Sequence, residues 1–116
     1  FESAEKPRIL VVKRSGTREE FSPEKCLKSM LVACRKRHFS LDALNAAVGR
    51  IEQALMEEFE DEAPSTAVGD KVLRELAEID IVAYIRFASV YREFETLEDF
   101  ETIIEGMRRA EEAASA

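Results

Sequence analysis

Lys13 and Arg14 stand side by side before a Ser-Gly-Thr turn, and Glu19, Phe21 and Lys25 follow within twelve residues. Cations grouped around a turn are the side chains that hold phosphate oxygens. A carboxylate among them can accept a hydrogen bond from a sugar hydroxyl. Val11 and Phe21 add apolar area that could sandwich or floor a base. Ser22-Pro23-Glu24 reads as a helix start, and a helix N-terminus favours an anion. The pattern describes a nucleotide site, although a solvated charged hairpin would carry many of the same residues. There is one His and no Walker lysine loop, GxGxxG or pair of metal carboxylates, so neither a catalytic residue nor a metal ligand is expected. Nucleotide binding here would be sensing rather than turnover, and the chain is not expected to be an enzyme.

The elements that must position these residues follow from local pattern. ILVVKR at 9–14 holds a short apolar run with β-branched residues and reads as a strand, SGT at 15–17 is turn chemistry, and REEF at 18–21 returns as a second strand. Ser22 caps a helix that runs to about Arg37, with Leu27, Met30, Leu31 and Cys34 on one face and Arg35-Lys36-Arg37 closing its end. Ser40 caps a second helix, with Leu41, Leu44, Val48, Ile51, Leu55 and Phe59 inward. Asp61-Glu62-Ala63-Pro64 breaks it. Ser65 is placed to cap a third helix, with Val68, Val72, Leu73 and Leu76 inward. Asp80 opens a fourth, apolar nearly all round and so expected to be central and buried. Thr96 caps a fifth, with Leu97, Phe100, Ile103, Ile104 and Met107 inward. The expected class is α+β, mostly α: a small β-hairpin packed on a four- to five-helix bundle.

Composition agrees with one compact domain of 116 residues, 46% hydrophobic and 35% charged. The longest apolar runs are MLVAC and IVAYI, far short of the roughly 20 residues of a membrane span, so no membrane partner is expected. No apolar segment follows a basic start, and a cytoplasmic location is expected. Cys26 and Cys34 are eight apart, about 12 Å along a helix, too far for a disulfide and without zinc spacing. Residues 1–40 carry +5 and residues 41–116 carry −12. The acidic body is a poor binder of nucleic acid by itself, and the basic block suggests a local anion site or interface.

Three segments carry a family resemblance. VVKRSGTREEFSPEKCLKSML resembles the opening of an ATP-cone, the nucleotide-sensing domain of ribonucleotide reductases, with its V-x-K-R-D/N-G, Glu, apolar and Lys pattern. PSTAVGDKVLREL and DIVAYIRFASVYREFETLEDF resemble the corresponding segments of the bacterial NrdR family of transcriptional repressors of ribonucleotide reductase genes. The likeness covers the chain from Phe1 to about Met107. It implies binding of ATP and dATP, with Mg2+ an admissible companion, and homo-oligomers whose geometry depends on the nucleotide. Carried over by position, Val11, Lys13, Arg14, Glu19, Phe21 and Lys25 match nucleotide contacts, Ser65 a hydroxyl near the base, and Tyr84 a residue at the site or a subunit interface. Tyr84 and Tyr91 would equally serve as core. Ser15 departs from the usual acid or amide of the turn. Gly69 stands where reductase cones often have a phosphate-binding His, and is usual in the repressor family.

The family also carries a four-cysteine zinc ribbon ending in a T-T-F-E-like stretch, and Phe1-Glu2 resembles the end of it. The expected organisation is therefore ribbon end and linker at 1–8, ATP-cone at 9–107 and a fraying tail at 108–116. Zn2+ is expected only in the ribbon, and operator DNA only through the full-length protein. The alternatives are the allosteric ATP-cone of a reductase and a helical interaction module without a ligand.

Overall fold

The computed structural model describes residues 8–115. Strands β1 (Leu10–Val12) and β2 (Arg18–Glu20) form the expected hairpin, with Val11 opposite Glu19. Its turn is closed by the Lys13 N–H donating to Thr17 O (2.8 Å) and the Gly16 N–H to Lys13 O (2.8 Å), with Gly16 at φ +91°. Ser15 supplies the missing acid's local bonding. Its hydroxyl donates to Thr17 Oγ1 (3.0 Å) and accepts from the Thr17 N–H (3.4 Å), so the departure leaves the hairpin intact.

Helix α1 (Pro23–Ala33) starts as read, with the Ser22 hydroxyl accepting from the Lys25 N–H at 3.2 Å. It ends four residues earlier than expected. Lys36 adopts φ 64°, and the Ala33 and Arg35 carbonyls are taken by Arg86, which donates at 3.2 and 2.6 Å. The cations 35–37 therefore do not close α1; a guanidinium from another helix does. Arg37 instead forms a bidentate pair with Asp80 at 2.9 and 3.0 Å. The buried face of α1 is Cys26, Met30 and Ala33, while Leu27 and Leu31 are only half-buried. Both cysteines are free and buried.

Helix α2 (Leu41–Glu58) is capped by Ser40 and buries Leu44, Val48, Ile51 and Leu55, while Leu41 is 53% exposed. The segment after it holds a strand that the sequence reading missed, β3 (Glu62–Pro64). It pairs parallel to β1, giving the sheet order β2-β1-β3. Helix α3 (Ser65–Ile79) follows without a break, and its N-cap is Pro64, so Ser65 is not the cap. Asp80 alone joins α3 to α4 (Ile81–Tyr91) and caps α4 through the Ala83 N–H at 3.0 Å. Helix α5 (Leu97–Ser115) includes most of the tail expected to fray. Its start is held by Asp99, whose carboxylate accepts from the Glu95 and Thr96 N–H groups at 2.9 and 3.1 Å.

The main core lies under the sheet among α1, α2, α3 and the start of α4, around Met30, Leu44, Ile51, Leu55 and Leu76. A second, thinner core joins Leu73, Ala88 and Ile103 with part-buried Tyr84, Phe87 and Met107. Helix α4 is not the buried centre its composition suggested. Only Ala83 and Ala88 are buried, and Val90 is 80% exposed. The small residues let α4 close against its neighbours while its larger side chains lie at the margins or in the open. Ile103 is buried on α5, but Leu97 is 75% exposed and Ile104 also faces outward.

Candidate functional site at the hairpin and the start of the third helix

The hairpin gathers the expected cations around one carboxylate. Glu19 Oε2 lies 2.8 Å from Lys13 Nζ and Oε1 lies 3.7 Å from Lys25 Nζ. The hydrogen bond and charge of Lys13, then the charge of Lys25, hold the Glu19 carboxyl below its ordinary value. Both ammonium groups are therefore held at one place from two separate elements, the β1 end and the first turn of α1.

The missed strand brings a third element there. Val12 pairs with Pro64, so the next residues on each strand, Lys13 and Ser65, leave the sheet as neighbours. Because Pro64 has no side chain to cap it, the first N–H groups of α3 lack the side-chain partner seen at α1, α2 and α4. An uncapped helix N-terminus, two ammonium groups and Arg14 are together the kinds of group that favour a polyanion. Among the described residues Arg14 makes no ion pair and the Ser65 hydroxyl no hydrogen bond. The helix dipole that the sequence assigned to α1 is better supplied by α3, since Ser22 already occupies the α1 cap.

Tyr91 closes the far side, a role that its apolar spacing on α4 did not reveal. Its hydroxyl donates to Thr66 O at 2.9 Å, and its ring stacks on Phe87 with centroids 5.7 Å apart. Gly69 makes this contact possible: a Cβ there would overlap the Tyr91 ring. Burial raises the Tyr91 phenol above its ordinary value and Asp70 adds to this, while Arg14 and Arg92 act in the opposite direction. Arg14 is thus within electrostatic reach of the start of α3.

Two expected residues sit differently. Phe21 is 3% exposed and belongs to the main core, so it cannot sandwich a base, and Val11 is the half-exposed apolar side chain beside the cations. Tyr84 borders a groove of about 620 Å3 with Ala77, Ile103 and Met107, away from the hairpin. Helix α4 runs back along α3, so a residue seven before Tyr91 lies about 10 Å further from the start of α3. A second cleft, of about 820 Å3 between the sheet edge and α2, sets Arg8 against four carboxylates, Glu20, Glu57, Glu60 and Asp61, a net charge of the wrong sign for a phosphate. Among the described residues no group of three or more His, Cys, Asp or Glu side chains could hold a metal ion. No described helix is long and apolar enough to cross a membrane.

Comparison with known proteins bears on the same region. The family model for an ATP cone domain matches residues 9–97. The chain is 45% identical over 104 residues to the transcriptional repressor NrdR of Methylibium petroleiphilum, covering 90% of this chain and 71% of that protein. It is 45% identical over 100 residues to the one from Desulfosudis oleivorans, covering 86% of this chain and 66% of that protein. It is 42% identical over 115 residues to the one from an Exiguobacterium species, covering 99% of this chain and 74% of that protein.

Proposed function

The chain belongs to the NrdR family of transcriptional repressors, with an ATP cone domain over residues 9–97, and on that premise we propose that its hairpin end binds adenine nucleotides as a regulatory signal. The observation that carries this reading is the convergence of Lys13 and Lys25 on Glu19 beside the uncapped start of α3. The family is named for repression, a regulatory role rather than a catalytic one.

In this proposal the triphosphate takes Lys13, Lys25 and Arg14, with the N–H groups of α3 completing its shell, and the Ser65 hydroxyl lies toward the base. It competes with Glu19 for the two ammonium groups, and Mg2+ can offset part of the remaining phosphate charge. Glu19, once released, is within the same cluster to meet a ribose hydroxyl. Val11 supports the base, and Tyr91 fixes the start of α3. ATP and dATP differ by one hydroxyl, and a buried hydrogen bond made or lost there is worth about 1–3 kcal/mol. That is enough to shift an assembly poised between two states. The assembly in turn sets how DNA-binding segments are presented. Operator binding and Zn2+ are assigned to the zinc ribbon of the full-length protein, whose expected end and linker at 1–8 lie almost wholly outside the described residues, because the acidic body offers too few cations to grip DNA.

Isothermal titration calorimetry with ATP tests the site. Lys13→Ala should weaken binding by about 1.5–3 kcal/mol, the worth of a hydrogen bond to a charged group. Glu19→Gln should keep triphosphate binding while narrowing the difference between ATP and dATP. Unchanged ATP affinity in Lys13→Ala would overturn the assignment.

A further inference from the structure

A stripe of unpaired cations runs along the outside of α1 and into the turn after it. Residues 24–38 hold five lysines and arginines and one carboxylate, in a chain whose net charge is −7. Lys28 is exposed on the helix. Arg35, whose N–H donates to Val32 O at 3.2 Å, continues the same side into the turn, and Lys36 follows it, both exposed. Among the described residues the side chains of Lys28, Arg35 and Lys36 make no ion pair and no hydrogen bond, whereas Arg18, Arg37, Arg50 and Lys71 are each held by a carboxylate. The acids nearest in sequence are Glu24, one turn before Lys28, and Asp42 beyond the turn.

The end of a helix normally repels an anion, because its last carbonyls carry the negative end of the dipole. Here Arg86 donates to the Ala33 and Arg35 carbonyls at 3.2 and 2.6 Å and sets a guanidinium on that end. The same bonds hold the turn in which Lys36 has φ 64°, so Arg35 and Lys36 leave a fixed backbone. Lys28 and Arg35 are seven residues apart, about 10 Å of helix rise, over which one strand of duplex DNA passes about three phosphates. A line of cations at that pitch suits a repeating row of phosphates. The stripe also starts where the chain enters the domain. The Phe21 N–H donates to Ile9 O at 2.8 Å, so Ile9 lies beside Ser22, the cap of α1. Whatever is tethered through Ile9 is tethered at the first turn of α1, and the relatives of this chain are transcriptional repressors.

We infer that the outer face of α1, through Lys28, Arg35 and Lys36, takes the phosphate backbone of duplex DNA that another part of the full-length protein already holds. This rests on the reading above that the zinc ribbon binds the operator, and it gives the nucleotide-binding domain a contact of its own. Three cations on an acidic domain are too few to capture DNA from solution. Once a tethered segment holds the duplex, the second contact forms at an effective concentration set by the linker, and it adds affinity without a new encounter. Phosphate contacts fix position and carry no sequence information, so the stripe should strengthen every site alike.

Fluorescence anisotropy of the zinc-loaded full-length protein provides the test, with ATP and with dATP, between about 50 and 200 mM salt. The probes are a labelled duplex from the promoter of the ribonucleotide reductase genes and a random duplex of equal length. Lys28→Ala, Arg35→Ala and Lys36→Ala together should weaken binding about tenfold and lower the slope of log affinity against log salt by about 2–3. The random duplex should lose a similar factor. The charge-keeping set Lys28→Arg, Arg35→Lys and Lys36→Arg should stay within about threefold of wild type, because phosphate contacts read charge. Calorimetric ATP affinity should be unchanged in both sets. Affinity and slope unchanged in the alanine set would overturn the contact, and repression lost in cells all the same would assign the stripe to an acidic protein instead. Equal losses in the alanine and charge-keeping sets would make the stripe structural and also overturn it. A wild-type protein that binds neither duplex with either nucleotide would overturn the ribbon reading and this contact together.

Discussion

The hairpin end and the α4–α5 end are built on opposite terms. At the hairpin the main core is closed, with Met30, Leu44, Leu55 and Leu76 all at 0% exposure, and the surface above it is polar and cross-linked by ion pairs. At the other end three buried residues hold α5, and large apolar side chains stand in solvent. The first region turns most of its apolar residues inward, Met56 beside the sheet edge being an exception, and leaves cations outside; the second leaves Ile81, Val90 and Leu97 at 47, 80 and 75% exposure. The difference teaches that one chain can divide its labour: a stable end that holds charges in fixed positions, and a thin end whose surface is available for contact.

The largest test of this contrast is core truncation. Leu44→Ala removes a side chain from the closed core and should cost about 3–5 kcal/mol by denaturant unfolding. Ile103→Ala, in the thin core, should cost nearer 2 kcal/mol, because α5 can shift inward and fill the space. Equal losses would mean that the two ends are one cooperative core.

Next is the link between the ends. Asp80→Ala removes both the α4 cap and the partner of Arg37, and should cost about 1–2 kcal/mol. Asp80→Asn keeps the cap and isolates the smaller ion-pair share. The Arg37 hydrogen bonds hold the Asp80 carboxyl below its ordinary value, burial acts against them, and the Ala83 N–H assists. A carboxylate lowered on folding contributes its stability above its ordinary pKa and loses it as pH falls through the folded value. The wild-type advantage over Asp80→Asn should therefore be present at neutral pH and shrink below about pH 4. An advantage that grows on acidification would contradict this.

Much of the closed end was legible because its signals are local. Ser22, Ser40 and Asp80 each cap the helix expected of them, and the Lys13-Arg14 turn lies where the pattern placed it. What was not legible depends on distant partners. Strand β3 is three residues including a Pro, and its partner β1 lies some fifty residues earlier, so no local periodicity marks it. The early stop of α1 depends on Arg86 from α4. Tyr91 shares the apolar spacing of a core residue, and only the bare Gly69 opposite it shows why the ring sits there. An all-round apolar α4 read as buried, because the same composition serves a core helix and one that leaves an apolar face open.

The smallest expected effect sharpens that last point. Gly69→Ala gains up to about 1 kcal/mol of helix propensity but displaces Tyr91 and its hydrogen bond to Thr66, worth about 1 kcal/mol, so net stability should change by less than about 1 kcal/mol. Tyrosine fluorescence, undisturbed by any Trp in the chain, should nonetheless report a changed environment. An unaltered tyrosine signal would mean that the contact is not maintained in solution.

The claim that the hairpin end is the ligand site and the α4–α5 end is not is tested most directly by following backbone amide resonances while ATP is added. The largest shifts are expected at Lys13, Arg14, Glu19 and Lys25 and at the first residues of α3, Ser65, Thr66 and Ala67. Largest shifts at Ala77, Tyr84, Ile103 and Met107, or no shifts at saturating ATP, would contradict it.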